Sequence, residues 1–524
     1  MPRLILVLHA HLPWVRHPEH QDALEEDWLY EAITETYLPL IALGRTWVQD
    51  NLQSRITLSV SPPLLEMWAD PLLMGRYRVR LARLIALAEA EARDGDRERA
   101  ELAAYYAELW SRLAKLESSL DGGLIGALVE LDRAGVIELC TSSATHNFLP
   151  FFEAAPGYVR GQIELGARTF ERHVGRRPRG LWLPECGYGP GIDQALAASG
   201  LSWTFLDTHG VERADPRPLY GVGLPIVSPA GVSFFGRDPE SARQVWSADE
   251  GYPGDGRYRE FHRDAGWDLP RERLEGLILP DGTRRSVGLK YHRITDRTLP
   301  LGEKALYQPA LVEEVVQAHA QHFVAARIAA GQAFKAEHGR PSAPAALYDA
   351  ELFGHWWFEG PKWLDQVVRL SQGNLQIISP TQALAGSEAF QVAAPAQSSW
   401  GDRGYGAVWL NDKNAWIWPP LHDAVAQFMS LLDADAAPDP FGRRVLAQLA
   451  RELCLASASD WPFILTTGTM VPYAEKRVRL HLGRFQELRQ ALAAGRLDDV
   501  ALTALEQNDP IFPDLDPQIF RSPS

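Results

Sequence analysis

Cysteine is scarce in this chain of 524 residues, which has three in all, Cys140, Cys186 and Cys454. They are far apart and odd in number, which argues against a disulfide framework. No apolar run approaches the length of a membrane span, and no charged leader followed by an apolar stretch and a cleavage site opens the chain. We therefore expect a soluble, cytoplasmic protein with no membrane partner.

Basic charge is also in deficit, with 52 Lys and Arg against 67 Asp and Glu and a net charge of −15. This balance argues against binding nucleic acid or an anionic membrane, which requires a basic surface. Neither glycine-rich nucleotide-binding loop is present, neither Gly-x-Gly-x-x-Gly after the first strand nor Gly-x-x-x-x-Gly-Lys, so a nucleotide cofactor is not expected. A neutral partner fits better, and the 17 tryptophans offer faces that stack on sugar rings.

Short apolar segments that end in polar or ionisable residues recur along the chain. Leu4 to Leu8 leads into His9, and Ala346 to Tyr348 leads into Asp349. Similar segments lie at 56–60, 136–140, 181–183, 203–206 and 375–378. Since helix-length segments separate most of them, a parallel sheet is predicted. Polar residues at most strand ends favour a barrel with a site at its C-terminal rim, whereas an open doubly wound sheet would carry them mainly at one switch point.

The chain is long enough for a catalytic domain with an appended one. We predict a catalytic domain over 1–395, with inserted helices at about 63–134 and Gly- and Pro-rich rim loops at about 208–270. After about residue 395 the alternation stops and apolar residues recur at helical spacing. A helical C-terminal domain is predicted over 396–524.

Two strands each deliver a carboxylate. One stretch, 180–188, carries Glu185, and a second, 346–357, carries Asp349. A buried strand does not solvate a carboxylate, so Glu185 must lie at an open end or be paired, unless it only caps the following helix. Two carboxylates from separate strands suit acid/base or nucleophilic chemistry at a C–O bond.

The second stretch also holds Glu351 and His355. If the strand continues through Leu352, Asp349 and Glu351 share a face, and repulsion raises the pKa of one of them. In the alternative interpretation a helix begins here and Asp349 is its N-cap.

His9 and His11 are two residues apart on a predicted strand, so their side chains point to the same side. Three interpretations stay open: packing, hydrogen bonding to sugar hydroxyls, and a metal pair. A metal would need further ligands, for which His146, Asp207 and His209 are candidates. Trp267, Trp400, Trp409 and Trp461 lie among turn residues, where a stacking subsite competes with a core role.

Four motifs resemble glycoside hydrolase family 57 in their residues and their order. They are His9-Ala10-His11-Leu12-Pro13, Thr141-Ser142-Ser143-Ala144-Thr145-His146, Trp182-Leu183-Pro184-Glu185 and the stretch from Tyr348 to Trp357. Ser459-Asp460-Trp461-Pro462-Phe463, followed by a helical tail, resembles the glycogen branching enzymes of that family. The likeness covers nearly the whole chain.

The resemblance implies an incomplete parallel (β/α)7 barrel with helical insertions and a mainly α-helical C-terminal domain that contributes to a glucan site. It also implies an α-glucan substrate (amylose, glycogen or starch-like) and neither metal nor organic cofactor. Glu185 would be the nucleophile and Asp349 the general acid/base. The substrate-binding residues would be His9, His11, His146, Trp28, Trp267, Glu351, His355, Trp400, Trp409 and Asp460.

The sequence departs from the branching enzymes of the family in one loop. Those enzymes carry a long loop with a tyrosine at its tip that closes over the site ahead of a segment like 236–240. Here 29 residues lead from Asp207 to Gly236 (236 − 207), and Tyr220 is the one tyrosine between them. Branching remains the leading expectation, and amylase-like hydrolysis is favoured if this shorter loop fails to exclude water. A metal-dependent polysaccharide deacetylase and a non-catalytic glucan-binding protein are remoter alternatives.

Overall fold

The computed structural model of the protein describes residues 1–94, 96–247, 250–386, 389–434 and 439–521. The strands are β1 (Arg3–Ala10), β2 (Ile56–Val60), β3 (Ile137–Ser142), β4 (Gly180–Trp182), β5 (Trp203–Leu206), β6 (Ile226–Val227), β7 (Ser233–Gly236), β8 (Ala345–Asp349) and β9 (Gln376–Ile377).

Helices lie between most of the strands and make up nearly all of the regular structure after β9. They are α1 (Glu26–Ala32), α2 (Leu38–Gln49), α3 (Pro62–Ala69), α4 (Pro71–Asp94), α5 (Arg97–Ser119), α6 (Gly123–Ala134), α7 (Pro156–Val174), α8 (Ile192–Ala198), α9 (Thr208–Glu212), α10 (Pro239–Trp246), α11 (Ala265–Asp268), α12 (Pro309–His338), α13 (Gly360–Ser371), α14 (Pro380–Leu384), α15 (Trp418–Asp433), α16 (Pro440–Ala456), α17 (Asp460–Thr467), α18 (Val471–Ala493) and α19 (Asp499–Asn508). A π-helix, Ile33–Tyr37, joins α1 to α2.

The strands form one curled sheet in the order β6-β7-β5-β4-β3-β2-β1-β8, with β9 added beside β1. Every pairing is parallel except that of β6 with β7. A single bridge between Arg237 and Ala345 brings the end of β7 to β8. The predicted incomplete (β/α)7 barrel with a helical C-terminal region is thus confirmed, and the open doubly wound sheet is not the fold.

The predicted first strand is the centre of the core. Leu4 to Leu8 in β1 are fully buried, since β1 has β2 on one side and β8 on the other and helices cover the outside. An apolar run without alternation is what burial of both faces requires. The strands are parallel, so the residues after their carboxyl ends meet at one rim of the barrel.

Helices α3 to α6 occupy the interval between β2 and β3, and α15 to α19 follow the barrel. The division of the chain at residue 395 stays a prediction. Among the described residues, no helix combines the length and the apolar character needed to cross a membrane.

Candidate active site

The carboxyl ends of β1 and β2 place two histidines beside two serines. His9 pairs in register with Ser59, and its Nδ1 lies 3.0 Å from the hydroxyl of Ser59. His11 follows β1, and its Nδ1 lies 2.9 Å from the hydroxyl of Ser61. The His9 ring also stacks on Trp182, with centroids 4.5 Å apart. Each ring is therefore held on one side by the neighbouring strand.

His146 joins this pair from the loop after β3. Its Nε2 lies 2.9 Å from Nε2 of His9, and its ring stacks on His11 with centroids 3.8 Å apart. Its backbone has φ of 55°, a region that residues other than glycine adopt rarely and that clusters at functional sites. The three predicted histidines thus form one cluster.

Glu185 lies just beyond β4 and has φ of 60°. Trp400 Nε1 donates to its Oε2 at 2.7 Å, and the hydroxyl of Ser459 donates to its Oε1 at 2.9 Å. The backbone N–H of Trp400 donates to the Glu185 carbonyl at 2.9 Å. The side chain is 14% exposed, so this carboxylate lies at an opening and is also held in one orientation.

Burial raises the pKa of Glu185 to about 7, while the hydrogen bonds from Trp400 and Ser459 lower it and the charge of Asp460 raises it. The donors aim at both carboxylate oxygens and so favour the ionised form.

Asp349 ends β8 directly opposite His9 of β1 in the parallel register. Burial, followed by repulsion from Glu351 and then from Glu185, raises its pKa well above the usual value, against the attraction of Arg237. Glu185 is therefore near enough for its charge to disfavour the ionised form of Asp349. Asp349 is partly exposed, as Glu185 is.

The segment after Asp349 turns at once. Residues 350–352 form a 3-10 turn, so the strand does not continue through Leu352 and the expected strand alternation of Asp349 and Glu351 is wrong. The Asp349 side chain makes no capping hydrogen bond to this turn, so the N-cap alternative is not the arrangement either. The turn directs Glu351 toward β1, where its Oε1 accepts from the N–H of His11 at 3.1 Å.

The π-helix supports this turn from outside the barrel. Tyr37, its last residue, donates its hydroxyl to Glu351 Oε1. Glu35, two residues earlier, contacts Nδ1 of His355 through Oε2 at 2.9 Å and receives Arg259 Nη1 on Oε1 at 2.8 Å. Burial alone would raise the pKa of Glu35, but Arg259 and His355 lower it to about 2.

Gly354 explains how closely these segments approach. Its φ is +119°, and a Cβ at this position would overlap the carbonyl oxygen of Glu35. Only glycine fits there without moving the π-helix.

The C-terminal helices complete the site. Asp460 begins α17, is 16% exposed, and places Oδ2 3.1 Å from Nε2 of His11. The preceding Ser459 contacts His146 Nδ1 at 2.9 Å as well as Glu185. Residues from both ends of the chain therefore meet at this rim of the barrel.

Both ring nitrogens of His9, His11 and His146 lie within hydrogen-bonding distance of other protein groups. Asp207 and His209 contact Arg237 and the Gly404 carbonyl instead. Among the residues that the structure describes, no group of three or more His, Cys, Asp or Glu side chains is arranged to hold a metal. This donor set fits a hydrogen-bonded cluster better than a metal site.

The predicted tryptophans occupy different settings. Trp400 is partly exposed and contacts Glu185 directly, with Arg237 over its ring at 5.4 Å. Trp28 is partly buried and meets Tyr473 edge-on at 5.8 Å. Trp267 in α11 is 56% exposed.

Trp409 is 2% exposed and stacked on Phe148 at 5.0 Å. Its burial leaves little surface for a sugar. The subsite roles of the four tryptophans stay predictions.

Tyr220, the one tyrosine of the loop that is shorter than in the branching enzymes, lies away from this rim. Tyr220 packs against Phe334 at 6.1 Å and His338 at 5.3 Å, both near the carboxyl end of α12. Because α12 leads into the start of β8, this contact lies toward the opposite end of the barrel. Tyr220 therefore does not lie over the two acids.

Sequence reasoning missed four groups that hold the site, Ser59, Ser61, Tyr37 and Ser459. Ser59 in β2 and Ser61 directly after it are two residues apart, as His9 and His11 are. The register of β1 with β2 would therefore have identified both serines. Ser459 precedes Asp460 in a motif already noticed. Tyr37 gives no signal, since a π-helix has no distinctive sequence pattern.

Most of the chain is similar to known protein families and to known proteins. Residues 5–324 match the profile of glycosyl hydrolase family 57, and residues 420–520 match that of the 1,4-alpha-glucan branching enzyme C-terminal region. The 1,4-alpha-glucan branching enzyme of Thermococcus kodakarensis is 32% identical over 97% of this chain and 77% of its own length.

Solved structures of full-length relatives share the fold. The alpha-amylase AmyC from Thermotoga maritima is 39% identical, with a TM-score of 0.93 over 100% of this chain and 99% of its own. The family 57 branching enzyme of Pyrococcus horikoshii is 31% identical, with a TM-score of 0.89 over 100% and 97% of the two chains. The chain therefore belongs to glycosyl hydrolase family 57 and is an enzyme acting on α-glucans, either a branching enzyme or a hydrolase.

Proposed function

We propose that the protein is a retaining α-1,4-glucan enzyme in which Glu185 is the nucleophile and Asp349 the general acid/base. The observation that supports this assignment is the contrast between two acids at the carboxyl-end rim of one barrel. Glu185 receives hydrogen bonds on both oxygens, which favour its ionised form, whereas Asp349 has a pKa well above the usual value because of burial and two neighbouring carboxylates. Unequal environments of this kind assign the roles of paired carboxylates.

The reaction then proceeds in two displacements. Ionised Glu185 attacks the anomeric carbon, while protonated Asp349 gives its proton to the departing glycosidic oxygen. The C–O bond to the leaving chain breaks as the bond to Glu185 forms. In the second step Asp349 takes a proton from the incoming hydroxyl, whose oxygen displaces Glu185 and restores the starting state.

The incoming hydroxyl decides the product, and we propose that it is mainly that of water. The supporting observation is the position of Tyr220, which packs on α12 instead of covering the acids. A glycosyl-enzyme that no tyrosine of this loop covers is more open to water. The similarity over the full length to the Thermotoga maritima alpha-amylase supports the same conclusion.

Branching is the second candidate, and a specific observation favours it. The helices that supply Ser459 and Asp460 belong to a region that matches the branching-enzyme C-terminal profile, and the curated relative from Thermococcus kodakarensis is named a branching enzyme. Transfer to the 6-hydroxyl of a second glucan requires only that the acceptor glucan reaches the glycosyl-enzyme before water does.

One assay separates the two products. The protein is incubated with amylose, and new reducing ends and new 1,6-linkages are counted in the same sample. We expect reducing ends to outnumber branches. Branches in excess of reducing ends would overturn the preference for hydrolysis and leave the double displacement intact.

Two controls test the chemistry itself. Glu185→Gln is expected to abolish turnover of amylose while retaining glucan affinity, because the amide preserves size and cannot attack. Turnover unchanged in this variant would refute the nucleophile assignment. Full activity on amylose after exhaustive chelation would rule out the metal-dependent deacetylase.

A further inference from the structure

An unbroken row of hydrogen-bonding side chains runs from Glu185 across the barrel to β2. Ser59 Oγ lies 3.0 Å from His9 Nδ1, and His9 Nε2 lies 2.9 Å from His146 Nε2. His146 Nδ1 lies 2.9 Å from Ser459 Oγ, which donates at 2.9 Å to Glu185 Oε1. His9, His146 and Ser459 thus connect Ser59 to Glu185 through four consecutive contacts of hydrogen-bonding length.

Burial favours the neutral form of both imidazoles in this row. Burial lowers the pKa of His9 and of His146 well below the usual value, and the nearby His11 lowers both further. A neutral imidazole has one N–H and one acceptor nitrogen. The contact between the two Nε2 atoms therefore needs one histidine to donate and the other to accept.

Only two directions satisfy that contact. In the first, Ser59 donates to His9 Nδ1, His9 Nε2–H to His146, His146 Nδ1–H to Ser459, and Ser459 to Glu185. In the second, His146 Nε2–H donates to His9, and His9 Nδ1–H donates to Ser59. Ser459 must then donate its single proton to His146, leaving none for Glu185.

Ionisation of Glu185 selects between them. A carboxylate only accepts hydrogen bonds, so it requires the first direction, whereas a protonated Glu185 can donate to Ser459 and permits the second. We propose that Ser459, His146 and His9 form a positioning chain whose tautomers are set by the ionisation state of Glu185. The proposal rests on Glu185 as the nucleophile, since the ionised form that the chain orients is the form that attacks.

The other charged groups at the opening surround the chain without breaking it. The charge of Asp460 raises the pKa of Glu185, and the charge of Glu185 raises the pKa of Asp349. His11 contacts Asp460 and stacks on His146. Arg237 lies over the ring of Trp400. Asp460 and His11 are hydrogen-bonded to each other and not to a member of the chain, so the tautomers of His9 and His146 follow the hydrogen bonds that lead to Glu185.

Nitrogen NMR of the histidine-labelled protein tests the proposal. As the pH rises through 7, we expect His146 to change from the Nε2–H to the Nδ1–H tautomer and His9 from Nδ1–H to Nε2–H, with neither becoming an imidazolium. In Glu185→Ala the tautomers should not change over the same range. Protonation of either ring, or fixed tautomers in a protein whose Glu185 titrates, would overturn the chain.

Kinetics supply a second readout. Ser459→Ala removes the donor to Glu185, so the acid limb of kcat/KM is expected to move upward by about one pH unit, and Ser459→Thr should restore it. Ser457→Ala is the matched control, since Ser457 is a buried hydroxyl of the same turn that contacts Tyr158 and the Cys454 carbonyl instead. An unmoved limb in Ser459→Ala, or an equal shift in Ser457→Ala, would contradict the positioning role.

The two proposals fail differently. Trapping with a fluorinated glucosyl fluoride, followed by peptide mapping, reports whether Glu185 carries the glycosyl group. A label on Glu185 with unchanging tautomers removes the chain alone. A label on another residue removes the nucleophile assignment and the chain together.

Discussion

At the scale of single residues, the proposed mechanism depends on two carboxylates whose surroundings favour different protonation states. Asp349 is repelled by Glu351 and Glu185, and Glu185 is stabilised as an anion by Trp400 and Ser459. Activity should therefore need Glu185 ionised and Asp349 protonated, which gives a pH profile with an acid limb near the Glu185 pKa of about 7 and a basic limb above it.

Asp349→Asn tests the acid role. The variant cannot protonate the leaving oxygen, so kcat on amylose is expected to fall by roughly 10²–10⁴-fold. Maltosyl fluoride, whose leaving group needs no proton, should still be attacked by Glu185 and give a burst of fluoride. Equal losses on both substrates would contradict the assignment.

Asp349→Asn is expected to lower kcat but to raise the stability of the folded protein near neutral pH. The pKa of Asp349 is higher in the folded than in the unfolded chain, so the folded state holds the proton more tightly and stability is lost as pH rises from about 4 through the folded pKa. Asp349→Asn removes this loss. Its Tm relative to the parent should rise between pH 5 and pH 8 in thermal melts; a constant difference would argue against the raised pKa.

At the scale of elements, the π-helix Ile33–Tyr37 supports the segment that follows Asp349. It brings Tyr37 to Glu351 and Glu35 to His355, so one irregular turn holds both sides of the segment after β8. An ordinary α-helix would rotate one of these two side chains away, because the extra residue of a π-turn shifts the facing.

Tyr37→Phe is expected to move the basic limb of the pH profile toward lower pH. The Tyr37 hydroxyl lowers the pKa of Glu351, so its removal makes Glu351 easier to protonate. A neutral Glu351 repels Asp349 less, and Asp349 then ionises at lower pH. The pH dependence of kcat/KM measures this shift. Tyr77→Phe, which removes a buried hydroxyl near Thr34 of the same π-helix, is the control and should leave the limb in place.

At the scale of the whole molecule, activity should depend on the C-terminal helices because they provide Ser459 and Asp460. His481 of α18 and Glu452 of α16 form a fully buried pair at 2.6 Å. Burial lowers the pKa of His481 and favours its neutral form, so the contact with Glu452 is a buried hydrogen bond. Leaving one partner of such a bond unsatisfied costs about 1–3 kcal/mol, so His481→Ala should lower the temperature at which α16 to α18 lose hydrogen-exchange protection.

Amylose turnover in this variant should be lost at that same lower temperature, even where β1 to β5 keep their protection. Lys476→Ala, an exposed position on α18, should leave both temperatures unchanged. Turnover that survives the opening of these helices would show that Ser459 and Asp460 are dispensable.

The sequence predicted those parts of the molecule that follow from local pattern. The apolar run at Leu4 to Leu8 indicated a strand buried on both faces, and Glu185 and Asp349 were identified because each follows such a run. The turn after Asp349 was not foreseen, since its direction is set by the close approach of Glu35 to Gly354.

The partners of the site residues were less predictable for the same reason. Ser459 reaches Glu185 only because the chain folds back after the barrel, and a serine carries no periodic signal of that contact. Tyr220 was noticed as the one tyrosine in its interval, but its packing on Phe334 depends on the docking of α12.

The contact between Ser459 and Glu185 spans 274 residues of sequence. During synthesis the ribosome releases the two acids of the barrel long before the serine that orients one of them. If Glu185 is the nucleophile, as we propose, a growing chain lacks the donor that orients it, and we expect no cleavage of glucan before α17 has been synthesised.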